Sequence, residues 1–221
     1  MSRVLGVLGG MGPAATVAFL ARVQALTPAQ GDADHIRVVM DMNPQVPDRN
    51  TRPGDAEAEL GAMARRLKAA GAEVLAMPCN TAHAQKPGIV AAGLPFIDMI
   101  AETTAAVRAT GAKIVGILAT PGGEALYVSA LTEAGLTPVV LRGEDRAAFM
   151  ACVYGVKRGD VGVDNRAAMA RLGQALVVAG ADALIAGCTE VPLLLDAADV
   201  SVPLADSAEV LAEACVRACK D

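Results

Sequence analysis

The chain has 221 residues, enough for one large core or two small ones. Hydrophobic residues make up 53%, mostly Ala, Val and Leu, which marks a packed globular protein. The aromatic residues are only Phe19, Phe96, Tyr127, Phe149 and Tyr154, too few for platforms that stack bases or sugars, and a net charge of −5 disfavours nucleic-acid or anionic-membrane partners.

The chain opens with Arg3 and an apolar stretch that superficially resembles a secretory leader. Gly9, Gly10 and Pro13 interrupt it, and Val4-Leu5-Gly6-Val7-Leu8 recurs as Ile114-Val115-Gly116-Ile117-Leu118. The stretch therefore reads as the first strand of the fold. No apolar run reaches the ~18–20 residues of a membrane span, and five cysteines, an odd count without a paired framework, suit a cytoplasmic location.

Short apolar runs then alternate with helical patterns, the signature of βαβ units and a parallel sheet. Strands are predicted near 3–8, 36–42, 73–77 and 95–97, and again near 113–118, 137–141, 182–186 and 202–204. Helices are predicted near 13–26, 55–70 and 98–110, then near 123–134, 145–157, 164–179 and 206–219. The cluster Arg65-Arg66-Lys68 reads as the solvated face of a helix. No Ser/Gly linker separates the halves.

The halves repeat each other. Ala70-Gly71-Ala72-Glu73 leads through an apolar run to Cys79-Asn80-Thr81, and Ala179-Gly180-Ala181-Asp182 leads likewise to Cys188-Thr189-Glu190. Leu94-Pro95-Phe96-Ile97-Asp98 recurs as Val202-Pro203-Leu204-Ala205-Asp206. The fold expected is α/β, with two pseudosymmetric parallel-sheet half-domains: 1–105 plus 206–221, and 106–205. Ligands of such sheets bind beyond the carboxyl ends of the strands, where Gly9, Asn43, Cys79, Ala119 and Cys188 fall. Two related halves would each deliver one thiol to a shared cleft between them.

Each of these cysteines follows a buried strand and precedes an expected helix start. That placement would favour thiolate and lower the pKa. A thiolate can take a proton and a thiol return one. Cys152, Cys215 and Cys219 read as structural thiols. Asp98 and Asp206 read as helix N-caps. His83, four residues after Cys79, reads as a ring bonded to backbone or water, with thiolate support or metal ligation as its functional alternatives.

Gly6 to Thr16, Pro44-Gln45-Val46-Pro47-Asp48-Arg49, Met77 to His83 and Gly187-Cys188-Thr189-Glu190-Val191-Pro192 together resemble the aspartate/glutamate racemase family, its aspartate branch more than its glutamate branch. Glutamate racemases usually carry His where this chain has Glu190. The resemblance implies cofactor-independent racemisation of an acidic amino acid between Cys79 and Cys188, in a homodimer, with no metal. Asn80, Thr81, Thr189 and the loop from Gly9 to Gly12, with Met11 in it, would hold the α-carboxylate as it becomes enediolate-like. Arg49, whose planar guanidinium suits a carboxylate, would by resemblance hold the side-chain carboxylate, and Lys157 would be a second cationic ligand. Thr120 is a weaker hydroxyl candidate that parallels Gly10. Glu190 would orient a cleft group or start a helix.

Rival readings attach to other features. Gly10-x-Gly12-x-x-Ala15, with Asp32 or Asp34 downstream, loosely fits a dinucleotide fingerprint. Cys79, His83 and Cys188 would be the ligands of a zinc protein. A non-catalytic amino-acid-binding protein is the third rival. Glutamate or a broader set of amino acids stands as the alternative to aspartate.

Overall fold

The computed structural model describes residues 2–49 and 51–220. The chain divides into two compact units, Met1–Glu102 with Ala208–Asp221, and Thr103–Ser207. Each is built on a four-stranded, all-parallel sheet.

In unit 1 the strands are β1 (Leu5–Gly9), β2 (Val38–Met42), β3 (Val74–Ala76) and β4 (Phe96–Ile97), in the order β2-β1-β3-β4. Strand β1 lies inside the sheet and every residue of it is buried. A strand covered on both faces reads as a continuous apolar run, which is why Leu5 to Gly9 shows no polar alternation. The period of two sorts its side chains between two cores. Leu5 and Val7 join Phe19 and Val23 of α1 (Pro13–Leu26) and Leu211 and Cys215 of α8 (Ser207–Lys220). Leu8 joins Leu60, Met63 and Leu67 of α2 (Pro53–Ala69) and Ile89 of the short α3 (Lys86–Val90). The C-terminal helix thus packs on the first sheet, and its Cys219 carbonyl accepts the Arg3 N–H at 2.8 Å.

Unit 2 repeats the plan with β5 (Ile114–Leu118), β6 (Thr137–Val140), β7 (Ala183–Ala186) and β8 (Leu204–Asp206), in the order β6-β5-β7-β8. Its main core joins Leu118, Leu184 and Ala186 to Phe149 and Val153 of α6 (Gly143–Lys157) and to Met169, Leu172 and Leu176 of α7 (Val163–Val178). Helix α4 (Met99–Ala109) follows β4, and α5 (Pro121–Glu133) follows β5.

The repeated glycines have a common cause. A Cβ on Gly6 would lie 2.7 Å from Ala72 Cβ and from Leu75 Cδ2, and one on Gly116 would lie 2.5 Å from Leu184 Cδ2 and 2.9 Å from Leu176 Cβ. Both central strands need the missing side chain for close packing. Every strand and long helix predicted is present, with ends shifted by a few residues. The sequence reading missed α3 and the 3₁₀ turns. Among the described residues no helix is long and apolar enough to cross a membrane.

Candidate active site

In unit 1, the carboxyl ends of β1, β2 and β3 align in register, with Val7 beside Ala76 and Gly9 beside Met42. The loops leaving them carry Met11, Arg49 and Cys79. One apolar cluster fixes all three loops, because Met11, Val46 and Cys79 pack in it together. Gly10, at φ 98°, lies so close to the Asn43 backbone that a Cβ would come within 2.4 Å of it. Only glycine allows that approach. The Gly10 N–H donates to Thr16 Oγ1 at 3.0 Å, and that hydroxyl donates to the Gly12 carbonyl at 2.9 Å. The Gly10 N–H is therefore used inside the loop.

The segment from Asn43 to Arg52 is shaped by its own side chains. Asn43 Oδ1 accepts from the Gln45 N–H at 2.9 Å, and Asp48 Oδ1 accepts from the Thr51 N–H at 2.9 Å. Arg49 is half-buried, and its Nε is shielded from solvent with no hydrogen-bond partner among the described residues. A buried guanidinium N–H left without an acceptor is costly, and a carboxylate is an acceptor whose geometry suits it.

Cys79 is 5% exposed and lies three residues past β3. Asn80 is buried beside it and Thr81 half-buried. The expected helix start proves to be a 3₁₀ turn, Thr81–Gln85, before α3. His83 locks this turn. Its Nδ1 lies 2.8 Å from the Cys79 carbonyl and its Nε2 accepts the Met99 N–H at 3.1 Å. A carbonyl only accepts and an amide N–H only donates, so the proton sits on Nδ1 and the ring is neutral. Burial pushes the His83 pKa down from 6.5, against the raising effect of the Cys79 carbonyl and of Asp98. The 3.9 Å approach to Asp98 is therefore no ion pair. With both nitrogens occupied, the ring has no lone pair for a metal, which removes His83 from the zinc reading. Asp98 caps α4 as expected, accepting the Ile100 and Ala101 N–H groups at 2.9 and 3.2 Å.

In unit 2, Leu118 of β5 lies beside Ala186 of β7. Gly187 continues the ladder by donating to Leu118 O at 2.9 Å, and Cys188 follows, 7% exposed. The Tyr127 ring packs on Gly187, where a Cβ would meet it at 2.8 Å. The Cys188 thiol donates to Glu190 Oε2 at 2.9 Å, Thr189 Oγ1 lies 3.4 Å from the same oxygen, and Lys157 Nζ lies 3.0 Å from Oε1. Glu190 itself is buried. Thr120 is half-buried at the N-cap of α5, followed by Pro121, just as Gly12 precedes Pro13 in α1. Thr120 parallels Gly10 when the repeat is counted from the paired strand glycines Gly6 and Gly116, and it holds the helix N-cap position that Gly12 holds in α1.

Cys188 also departs from expectation. Its following turn is a 3₁₀ segment, Val191–Leu193, too short for a helix dipole to matter, and Glu190 is its N-cap. Burial pushes the Cys188 pKa well above 9.0, and the Glu190 charge adds to the rise. The thiol is thus held protonated, not as the thiolate the sequence led one to expect. Burial similarly raises Cys215 and lifts Cys219 to about 11, in keeping with structural thiols. The roles of His83, Thr16 and Tyr127 were missed or left open at the sequence level. Only the i, i+4 spacing of Cys79 and His83 hinted at the clamp.

The Asp/Glu/Hydantoin racemase family profile matches residues 8–215. The chain belongs to this family. That makes it, at the level of class, an amino-acid racemase and an isomerase. It is 24% identical to the broad specificity amino-acid racemase RacX of Bacillus subtilis (strain 168), over 96% of each chain. It is 32% identical to the glutamate racemase of Roseiflexus sp. (strain RS-1), over 65% of this chain and 53% of that one. Among solved structures, Picrophilus torridus aspartate racemase superposes with a TM-score of 0.84 at 27% identity, covering 99% of this chain and 94% of that chain.

Proposed function

We propose that the protein racemises an acidic amino acid without a cofactor, with aspartate as its substrate. The observation that carries this reading is the placement of Cys79 and Cys188, each just past the equivalent strand, β3 or β7, of two repeated units. One thiolate takes the Cα proton, forming S–H and leaving the electron pair delocalised into the α-carboxylate. The opposite thiol gives its proton to the other face of Cα and becomes thiolate. Roles reverse for the other enantiomer. Cys188, protonated at rest and bonded to Glu190, begins as the acid in this scheme, and Glu190 is the group to which its proton can pass when it must act as base.

Arg49, with its unsatisfied Nε, supports an acidic side chain in the substrate. Lys157 pairs with Glu190 in the free protein, so its expected contact with a substrate carboxylate would have to be added to that pairing or exchanged for it. A broader range of amino acids is the second reading, favoured by the end-to-end similarity to a relative named for broad specificity. The test is deuterium incorporation at Cα of L- and D-aspartate in D2O without added cofactor, with glutamate and neutral amino acids alongside. Exchange with loss of optical activity on aspartate is the expected result. Binding without exchange on any amino acid would leave only the binding-protein reading.

A further inference from the structure

Arg49 sits in a loop between β2 and α2, and the loop is fastened along its length. Past Arg49, the Arg52 N–H donates to the Asp48 carbonyl at 2.9 Å. Before it, Val46 is buried in the apolar cluster that holds Leu60 and Met63 of α2. The loop begins at Asn43, whose N–H donates to the Gly9 carbonyl at 3.2 Å. Its side-chain Oδ1 accepts the Gln45 N–H at 2.9 Å, and its Nδ2 donates to Glu59 Oε1 of α2 at 3.0 Å.

The orientation of the Asn43 amide is therefore set from outside the loop. A primary amide offers an acceptor on one side and donors on the other, and a carboxylate only accepts. Glu59 holds the NH2 toward α2, which leaves the oxygen for the Gln45 N–H. Reversed, the amide would set donor against donor at Gln45 and acceptor against acceptor at Glu59. Glu59 is held in turn. Its Oε1 also accepts from Arg66 Nη2 at 2.9 Å, and Arg66 Nε donates to Asp41 Oδ2 of β2 at 2.8 Å. Glu59 and Arg66 lie two turns apart on one face of α2. The Arg66 side chain is 53% exposed, and ion pairs so exposed add little to stability. Their consequence is local: they end on the first residue of the loop that carries Arg49.

We propose that Glu59, steadied by Arg66, is a positioning residue that fixes the Asn43 amide and so preorganises the loop presenting Arg49 to the side-chain carboxylate of the substrate. The proposal rests on the reading of Arg49 as that ligand. A loop ordered before binding spares the complex the cost of ordering it. Charge alone argues the other way. Glu59 is an anion, so a bystander at this position would repel an acidic substrate, and its removal would improve binding.

The test is aspartate binding by calorimetry, with racemisation kinetics alongside, on the full chain and three variants. Glu59→Ala should raise the dissociation constant and KM for aspartate about fivefold, the worth of one hydrogen bond, with kcat changed less than about twofold. Gln45 N–H exchange, followed by NMR, should become about fivefold faster in the same variant. Glu59→Gln keeps an oxygen that can accept from both Asn43 and Arg66 and should behave as wild type. Glu59→Lys offers only donors and should weaken aspartate binding at least as much as Glu59→Ala, despite its positive charge. Unchanged binding in Glu59→Ala overturns the proposal. So does a loss in Glu59→Gln equal to that in Glu59→Ala, or tighter binding in Glu59→Lys. If the wild-type chain binds aspartate without racemising it, the racemase reading falls, and the same changes in dissociation constant support the positioning role. A wild-type chain that binds no aspartate overturns both.

Discussion

Replacing His83 by Leu separates a structural clamp from a bystander. The imidazole satisfies two buried backbone groups, the Cys79 carbonyl and the Met99 N–H. Leucine fills much of the space and satisfies neither. Each orphaned group costs ~1–3 kcal/mol, so the loss should be about 3 kcal/mol after partial relaxation. That corresponds to a fall in Tm of about 6–12 °C for a chain of this size. His83→Asn can still donate to the Cys79 carbonyl and should lose about half as much. The wild-type pH dependence carries the same signature. The folded-state pKa lies below 6.5, so the unfolded chain takes up the proton first as pH falls. Stability from this group is complete above about pH 6.5 and declines below it, by up to ~1.4 kcal/mol per unit, until the folded-state pKa is reached. Thermal melts of the three proteins at pH 7.5 and pH 5.5 provide the assay. Equal Tm values for wild type and His83→Leu at pH 7.5, or equal losses on acidification, would refute the clamp.

Cys79→Ala and Cys188→Ala should each abolish racemisation of aspartate. One-sided deuterium exchange at Cα, followed by NMR, should persist on at most one enantiomer in each. Glu190→Gln removes the charge that adds to the high Cys188 pKa and also the acceptor of its proton. Alkylation of Cys188, followed by mass spectrometry, should become faster, while kcat falls by about 10²–10⁴; slower alkylation would count against the Glu190 role. Arg49→Ala should raise KM for aspartate by at least about tenfold, the loss of one charge-assisted contact, and raise that for a neutral amino acid little. Gly116→Ala should destabilise unit 2 by ~1–3 kcal/mol through overpacking against Leu184 and Leu176, read by urea denaturation.

Much of the fold was legible because its determinants are local and repeated. Short apolar runs, Pro13 at a helix start, and the glycines in β1 and β5 all write themselves into the chain. The placement of Cys79 and Cys188 past strands was legible for the same reason. The protonation of Cys188 was not. A pKa depends on who else is buried nearby, and the sequence reading expected helix starts where the chain makes 3₁₀ turns. Lys157, more than thirty residues from Glu190 in sequence, became its partner only through folding.

The sequence by itself determined the α/β class, the duplication and the two thiol positions, because apolar periodicity and residue identity suffice for these. Tertiary structure decided what each polar group has left to give. It occupied both His83 nitrogens, used the Gly10 N–H internally, left Arg49 Nε without a partner and tied Cys188 to Lys157 through Glu190. Hydrogen-bond capacity and desolvation are set by three-dimensional neighbours, and a linear pattern carries no record of them.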